Sequence, residues 1–237
     1  MDSRVDIIVP VYNEEGNFPL FYNHLLRHVH SNWWLLVMYD FPEDSTLRSA
    51  MPIAEKDKRV ILILNPNRGV VEAIKTGIKH TVSEAVMMTA IDLLDDIKKI
   101  DAMAELFYEK KYAVVSPSRY MIGGERHAGT FLQKSLSRLA GVSLHYFVGM
   151  PITDATNGSK LFRKSFLDSL NIESTVGWSV ALEIIVKAHI AGESMIEIPT
   201  VQRKRKFGES KFQILKWLPH YLRWYIFAIK HRFLNST

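Results

Sequence analysis

The chain contains no cysteine, so disulfides, thiolate metal sites and cysteine nucleophiles are excluded. No run of 18 or more apolar residues occurs, and a membrane-spanning helix is not expected. No Gly-x-Gly-x-x-Gly follows the first strand pattern, and there is no Gly-Lys-Ser/Thr phosphate loop. The usual dinucleotide and P-loop readings are therefore disfavoured. The nine histidines show no metal-ligand spacing and read as surface or core residues. Repeats and low-complexity segments are absent, and no secretory leader is read where Asp2 and Arg4 precede an early strand. A cytoplasmic location is the expectation.

What is present describes a folded globule. The 237 residues are 47% hydrophobic and 23% charged, which suits one large α/β domain or one domain with a small appendage. The net charge of +5 is unevenly placed. From Arg203 onward nine Lys/Arg face one acid, Glu209, so that segment carries +8 and the remainder −3. A basic tail on a mildly acidic body predicts an anionic partner such as phosphate, nucleic acid or an anionic membrane.

Strand and helix patterns alternate through the first half. Apolar, β-branched runs predict buried parallel strands at Val5–Val11, Trp33–Tyr39, Val60–Leu64, Ala85–Thr89 and Ala113–Ser118. Helices fit at Asn17–Val29, Asp44–Glu55, Val70–Lys79 and Asp95–Lys110, with Asn17, Pro19, Asp44 and Ser45 as start signals. Such alternation implies a mainly parallel, doubly wound sheet. Farther on, helices are predicted at Phe131–Val148, Val180–Ala191 and Phe212–Leu234, with a strand at Met195–Val201. Lys160–Arg163 reads only as a short segment. The expected organisation is one domain over 1–211 and a C-terminal amphipathic helical extension over 212–237.

Polar groups recur at the predicted strand ends: Tyr12 and Glu14, Asp40 and Asp44, Asn67 and Arg68, Asp92, Arg119. Ligands of open α/β sheets gather at that edge. Asp92, Asp95 and Asp96 follow the fourth strand as oxygen ligands suited to Mg²⁺ or Mn²⁺; Asp95 and Asp96 serve equally as helix caps. The cluster Arg203-Lys-Arg-Lys-Phe-Gly-Glu-Ser-Lys offers forks and point charges to phosphate, or is a solvated loop. Interleaved aromatic platforms are not evident around it, so nucleic acid is not the expected partner. Asp154, in Asp-Ala-Thr-Asn-Gly, either turns the chain or acts as a base.

In their order these motifs resemble the family 2 glycosyltransferases, in the branch similar to dolichol-phosphate mannose synthase and polyprenyl-phosphate sugar transferases. The likeness is carried by Pro10-Val-Tyr-Asn-Glu-Glu, Asn67-Arg-Gly, Ser118-Arg-Tyr, Asp154-Ala-Thr-Asn-Gly, Gly177-Trp with Glu183, and Arg205-Lys-Phe-Gly-Glu-Ser-Lys. The resemblance implies a GT-A, Rossmann-like fold and transfer of a hexose from UDP or GDP, with a divalent metal. It implies that Pro10, Tyr12, Glu14, Asp40 and Arg68 hold the nucleoside and that Asp92 binds the metal, with Asp95 or Asp96 as further ligands. Arg119, Arg205, Ser210 and Lys211 would neutralise the diphosphate or acceptor phosphate, and Asp154 would be a base or orienting group. Two departures stand out. Tyr39-Asp40 replaces the family's usual Asp-Asp, and Ala90-Ile-Asp replaces its Asp-x-Asp.

The C-terminal segment carries Leu218, Leu222, Ile226, Ile229 and Phe233 beside Lys216, Arg223, Lys230 and Arg232. Such a helix lies at a membrane interface or packs on the protein or a second copy of the chain. The leading expectation is a peripheral enzyme on the cytoplasmic face of a membrane, glycosylating a polyprenyl phosphate. The rivals are a soluble transferase to a saccharide, as in capsule or lipopolysaccharide assembly, and a non-catalytic subunit.

Overall fold

A strand that is apolar but for one residue needs cover on both faces, and Val5–Pro10 (β1), interrupted only by the buried Asp6, has it. Val5, Ile7 and Val9 join one core layer and Ile8 the other. The computed structural model describes residues 3–205, 207 and 214–234. After β1 come α1 (Phe18–His28), β2 (Trp33–Tyr39), α2 (Thr46–Lys56), β3 (Val60–Leu64), α3 (Val70–His80) and β4 (Ala85–Met88). Then follow α4 (Leu94–Ile97), α5 (Ile100–Tyr108), β5 (Val114–Ser118), β6 (Glu125–Arg126) and α6 (Phe131–Ser143). The last runs into a π-helical turn, Leu144–Val148. The chain continues through β7 (Lys160–Arg163), α7 (Lys164–Ser169), α8 (Ser179–Ile190), β8 (Met195–Pro199), β9 (Val201–Gln202) and α9 (Ile214–Leu234).

Seven strands form one sheet in the order β3-β2-β1-β4-β7-β5-β8, with β6 and β9 as a separate pair. Every neighbour in the large sheet is parallel except β7, which runs antiparallel between β4 and β5. Helices α1, α2 and α5 cover one face, and α3, α8 and α9 the other. The order reverses where β1 sits between β2 and β4. In open α/β sheets ligands bind in the crevice outside the carboxyl ends of the strands at such a switch point.

Two expectations are corrected. The helix expected over Asp95–Lys110 is two helices, broken at Lys98–Lys99. The segment Lys160–Arg163 is a central strand. The C-terminal helix packs on the sheet's helix layer: its Trp224 and Ala228 lie in the same core layer as α8. Trp224 Nε1 donates to Ser174 Oγ (2.8 Å) and Tyr225 to Ser143 (2.9 Å), so two hydrogen bonds lock that face. The expected boundary at 211/212 and residues Ser210 and Lys211 lie outside the described residues. No described helix is long and apolar enough to cross a membrane.

Candidate active site

The turn after β1 is built by its own side chains. Asn13 adopts a left-handed backbone, φ 53°, a conformation Asn tolerates better than most residues. Its N–H donates to Asp44 Oδ1 (3.0 Å) and its Oδ1 accepts from Ser45 N (3.1 Å). Glu14 N donates to Thr46 Oγ1 (2.9 Å), and Asn17 Nδ2 donates to Glu14 Oε2 (2.5 Å). The Glu14 carboxylate is thereby fixed at the carboxyl edge of the sheet, with its side chain 10% exposed. Asp44, read from sequence as a helix start, is a brace for this turn.

Across the switch point, β4 ends and Asp92 follows. Between them stands Arg205, delivered by the chain beyond β9. Its Nη2 lies 2.7 and 3.0 Å from the Glu14 carboxylate oxygens, and its Nη1 lies 3.9 Å from Asp92 Oδ2. Arg205 Nε donates to the Phe207 carbonyl (2.7 Å), which Asn17 Nδ2 also reaches (3.3 Å). Three residues separated by up to 191 positions thus meet at one crevice. Burial raises the Asp92 carboxyl above its ordinary value; Arg205 opposes this shift and Glu14 adds to it.

The nucleoside candidates sit beside this triad. Tyr12, 49% exposed, meets the Phe41 ring edge-on, with centroids 5.6 Å apart. The Arg68 guanidinium lies 5.9 Å from the same ring. Asp40 accepts from Asn65 Nδ2 (2.8 Å) and Gly69 N (2.9 Å), so its carboxylate orders the turn that carries Arg68. Pro10 closes β1. Sequence reasoning did not single out Phe41; an aromatic in a Phe-Pro turn directly after a strand end was the available signal.

Arg119 and Asp154 form a separate, buried unit. Asp154 is fully buried and Arg119 is 6% exposed. Arg119 Nε and Nη2 clamp the carboxylate at 2.7 and 2.8 Å, and the Arg119 and Asn157 N–H groups also donate to it. The remaining Arg119 donors go to Gln202, Ser137 and Thr156. Burial alone would raise the Asp154 carboxyl, but the guanidinium outweighs it and holds the pKa low. A carboxylate held in this way is a weak proton acceptor. Asp154, expected as a base or orienting group, and Arg119, expected at a phosphate, are here engaged with each other. The pair shapes the loops around the crevice.

The metal candidates also divide. Asp96 is buried and committed to Thr200 Oγ1 (2.6 Å) and Asn157 Nδ2 (3.2 Å); burial pushes its pKa to about 6. Asp95 is paired with Lys98 (3.1 Å) and Arg203. Both line the same small cavity as Asp92, but each is already engaged by other partners. Among the described residues no three acidic or imidazole groups converge on a metal position. Asp92, 31% exposed, still fits a hard cation that keeps its waters and takes one or two carboxylates beside phosphate oxygens. A cavity of about 430 Å³ lies elsewhere, lined by Ser83, Glu84, Tyr108, Lys111 and Arg163 at the opposite end of the strands.

Comparison with solved structures shows a GT-A fold. Glucosyl-3-phosphoglycerate synthase from Mycobacterium tuberculosis, in complex with Mn²⁺, UDP and glucosyl-3-phosphoglycerate, superposes with a TM-score of 0.69 at 15% identity over 97% of this chain and 79% of that one. Its complex with Mn²⁺, UDP-glucose and phosphoglyceric acid gives 0.70 at 14% identity, with the same coverage. The undecaprenyl-phosphate 4-deoxy-4-formamido-L-arabinose transferase of Klebsiella pneumoniae (strain 342) is 23% identical over 224 residues, 90% of this chain and 64% of that protein. The polyprenol monophosphomannose synthase of Mycolicibacterium smegmatis is 25% identical over 88% of this chain and 81% of its own length. The chain thus spans under two thirds of the first of these relatives. The family model described as Glycosyl transferase family 2 matches residues 6–170, which include both sides of the β1–β4 crevice, and the chain belongs to that family.

Proposed function

We propose that the protein transfers a hexose from a nucleoside diphosphate to a polyprenyl phosphate at a membrane surface. The observation that carries this reading is the meeting of Glu14, Asp92 and Arg205 across the β1–β4 switch point. Tyr12, Arg68 and Pro10 flank it on the nucleoside side, with Asp40 holding the Arg68 turn. Arg205 offers a planar fork to the diphosphate, whose negative charge grows as the sugar leaves. Glu14 and Asn17 keep that fork aimed at the crevice. Mg²⁺ or Mn²⁺, held by Asp92, would add Lewis-acid stabilisation of the same charge; neighbours of the same fold were solved with these ions and UDP.

The acceptor class is supported independently. A phosphate oxygen is already anionic and asks for orientation rather than proton abstraction, whereas a sugar hydroxyl needs a base. The clamped state of Asp154 suits the first. Leu222, Ile226 and Phe227 on α9 are 42–47% exposed beside Arg223 and Lys230. Tyr146 and Phe147 on the adjoining π-helical turn are 76% and 63% exposed. Apolar groups flanked by cations suit an anionic lipid surface, and the relatives named for polyprenyl acceptors fit such a setting. Ser210 and Lys211 are further candidates for the acceptor phosphate.

The test is incubation with labelled nucleotide hexoses and vesicles containing polyprenyl phosphate. Label passing into the chloroform phase supports the reading. Label on a water-soluble saccharide would indicate the soluble transferase instead, and nucleotide binding without transfer a non-catalytic subunit.

A further inference from the structure

The groups that would meet the nucleobase are aromatic and cationic, and the nearby carboxylate is occupied. Phe41, partly exposed at the carboxyl end of β2, lies between contacts with Tyr12 from the end of β1 and Arg68 from the turn after β3. Both oxygens of Asp40 already accept hydrogen bonds, one from Asn65 Nδ2 and one from Gly69 N. Gly69 has φ 102°, a backbone open to glycine and strained for other residues, so Asp40 secures a turn that needs holding. The preceding position is Tyr39, which supplies no second carboxylate.

We propose that Phe41 is a specificity-determining residue of the donor site and reads the nucleobase by stacking, so that pyrimidine and purine nucleoside diphosphates bind with similar affinity. The proposal rests on the donor-site reading above. A site built to hydrogen-bond a particular edge rejects the wrong partner by about 10⁴ or more, because its own polar groups are left unpaired. Every base has a π-face, so a stacking platform is tolerant of base identity. A guanidinium near the same ring adds a planar, weakly hydrated cation that also stacks on bases. The chain's discrimination would then fall on the sugar and the acceptor.

The test is calorimetric titration of the full chain with UDP, CDP, GDP, ADP and inorganic pyrophosphate in the same Mg²⁺ buffer. The four nucleotides are expected to bind within about tenfold of one another. Phe41→Ala weakens all four by a common factor of about tenfold and leaves pyrophosphate unchanged, while Phe41→Trp retains binding. A preference above about a hundredfold for one base overturns the proposal, as does a Phe41→Ala variant with unchanged affinities. Pyrophosphate binding as tightly as the nucleotides overturns the role of Phe41 alone. Failure of all five ligands to bind overturns the donor-site reading and this proposal with it.

Discussion

Replacing Asp154 by alanine separates a structural role from a catalytic one. The substitution leaves the Arg119 guanidinium almost fully buried, with Gln202, Ser137 and Thr156 as partners but no carboxylate in contact. Stranding one member of a buried ion pair costs about 3–5 kcal/mol. The N–H groups of Arg119 and Asn157 also lose their acceptor, which places the cost at the upper end of that range. For a chain of this size each kcal/mol moves the melting midpoint by about 2–4 °C, so a fall of roughly 10–20 °C is expected. Removing the second charge as well, in Asp154→Ala with Arg119→Met, should recover a large part of the loss, because a buried charge without a partner costs more than a buried methionine. The assay is thermal and urea unfolding followed by circular dichroism for both singles and the double. An Asp154→Ala protein that melts with the wild type and loses only turnover would refute the structural assignment and restore Asp154 as a base.

Other expectations follow from the same contacts. Trp224→Ala should destabilise by about 3–5 kcal/mol, since it removes a core side chain and the bond to Ser174; a loss under about 1 kcal/mol would mean that α9 is not part of the fold. Asp96 protonates near pH 6 in the fold against an ordinary 3.8, so the native state holds more protons between those values and stability falls as pH rises through that window. The fall is of order 2–3 kcal/mol, and unfolding at pH 4.5 and 7 should show it in the wild type and not in Asp96→Asn. Equal slopes in both would place the shift elsewhere. Changing Leu222, Ile226 and Phe227 to serine should leave the melting midpoint nearly unchanged while cutting sedimentation with anionic vesicles by more than about tenfold. Undiminished vesicle binding would assign the membrane contact to another surface.

The parts of the fold legible in the sequence were those whose pattern is local. The strands Trp33–Tyr39 and Val60–Leu64 and the helix beginning at Val70 have the expected bounds or start, because apolar runs flanked by polar turns carry their own signal. Lys160–Arg163 was missed as a strand since its first residue is a fully buried lysine. The structure explains this residue by its bonds to the Ala155 and Asn157 carbonyls, partners that only the folded loop provides. The end of Phe131–Val148 turns π-helical at Leu144, and inside the preceding α-helix Gly141 lies so close to the Thr153 carbonyl that a side chain would not fit; neither feature is written in local spacing. Tyr12, Glu14, Asp92 and Arg205 could be picked out by type and position. That Arg205 would stand between Glu14 and Asp92, while Arg119 and Asp154 turn inward together, depends on sheet order, and no spacing along the chain records it.

The central claim is that one diphosphate-sized crevice lies between the ends of β1 and β4. A crystal structure of the chain with UDP and Mn²⁺ tests it most directly. The ion is predicted on the Asp92 carboxylate, with the diphosphate oxygens against the Arg205 guanidinium. UDP seated at the other end of the strands, among Ser83, Tyr108, Lys111 and Arg163, with Asp92 and Arg205 still facing each other, would contradict it.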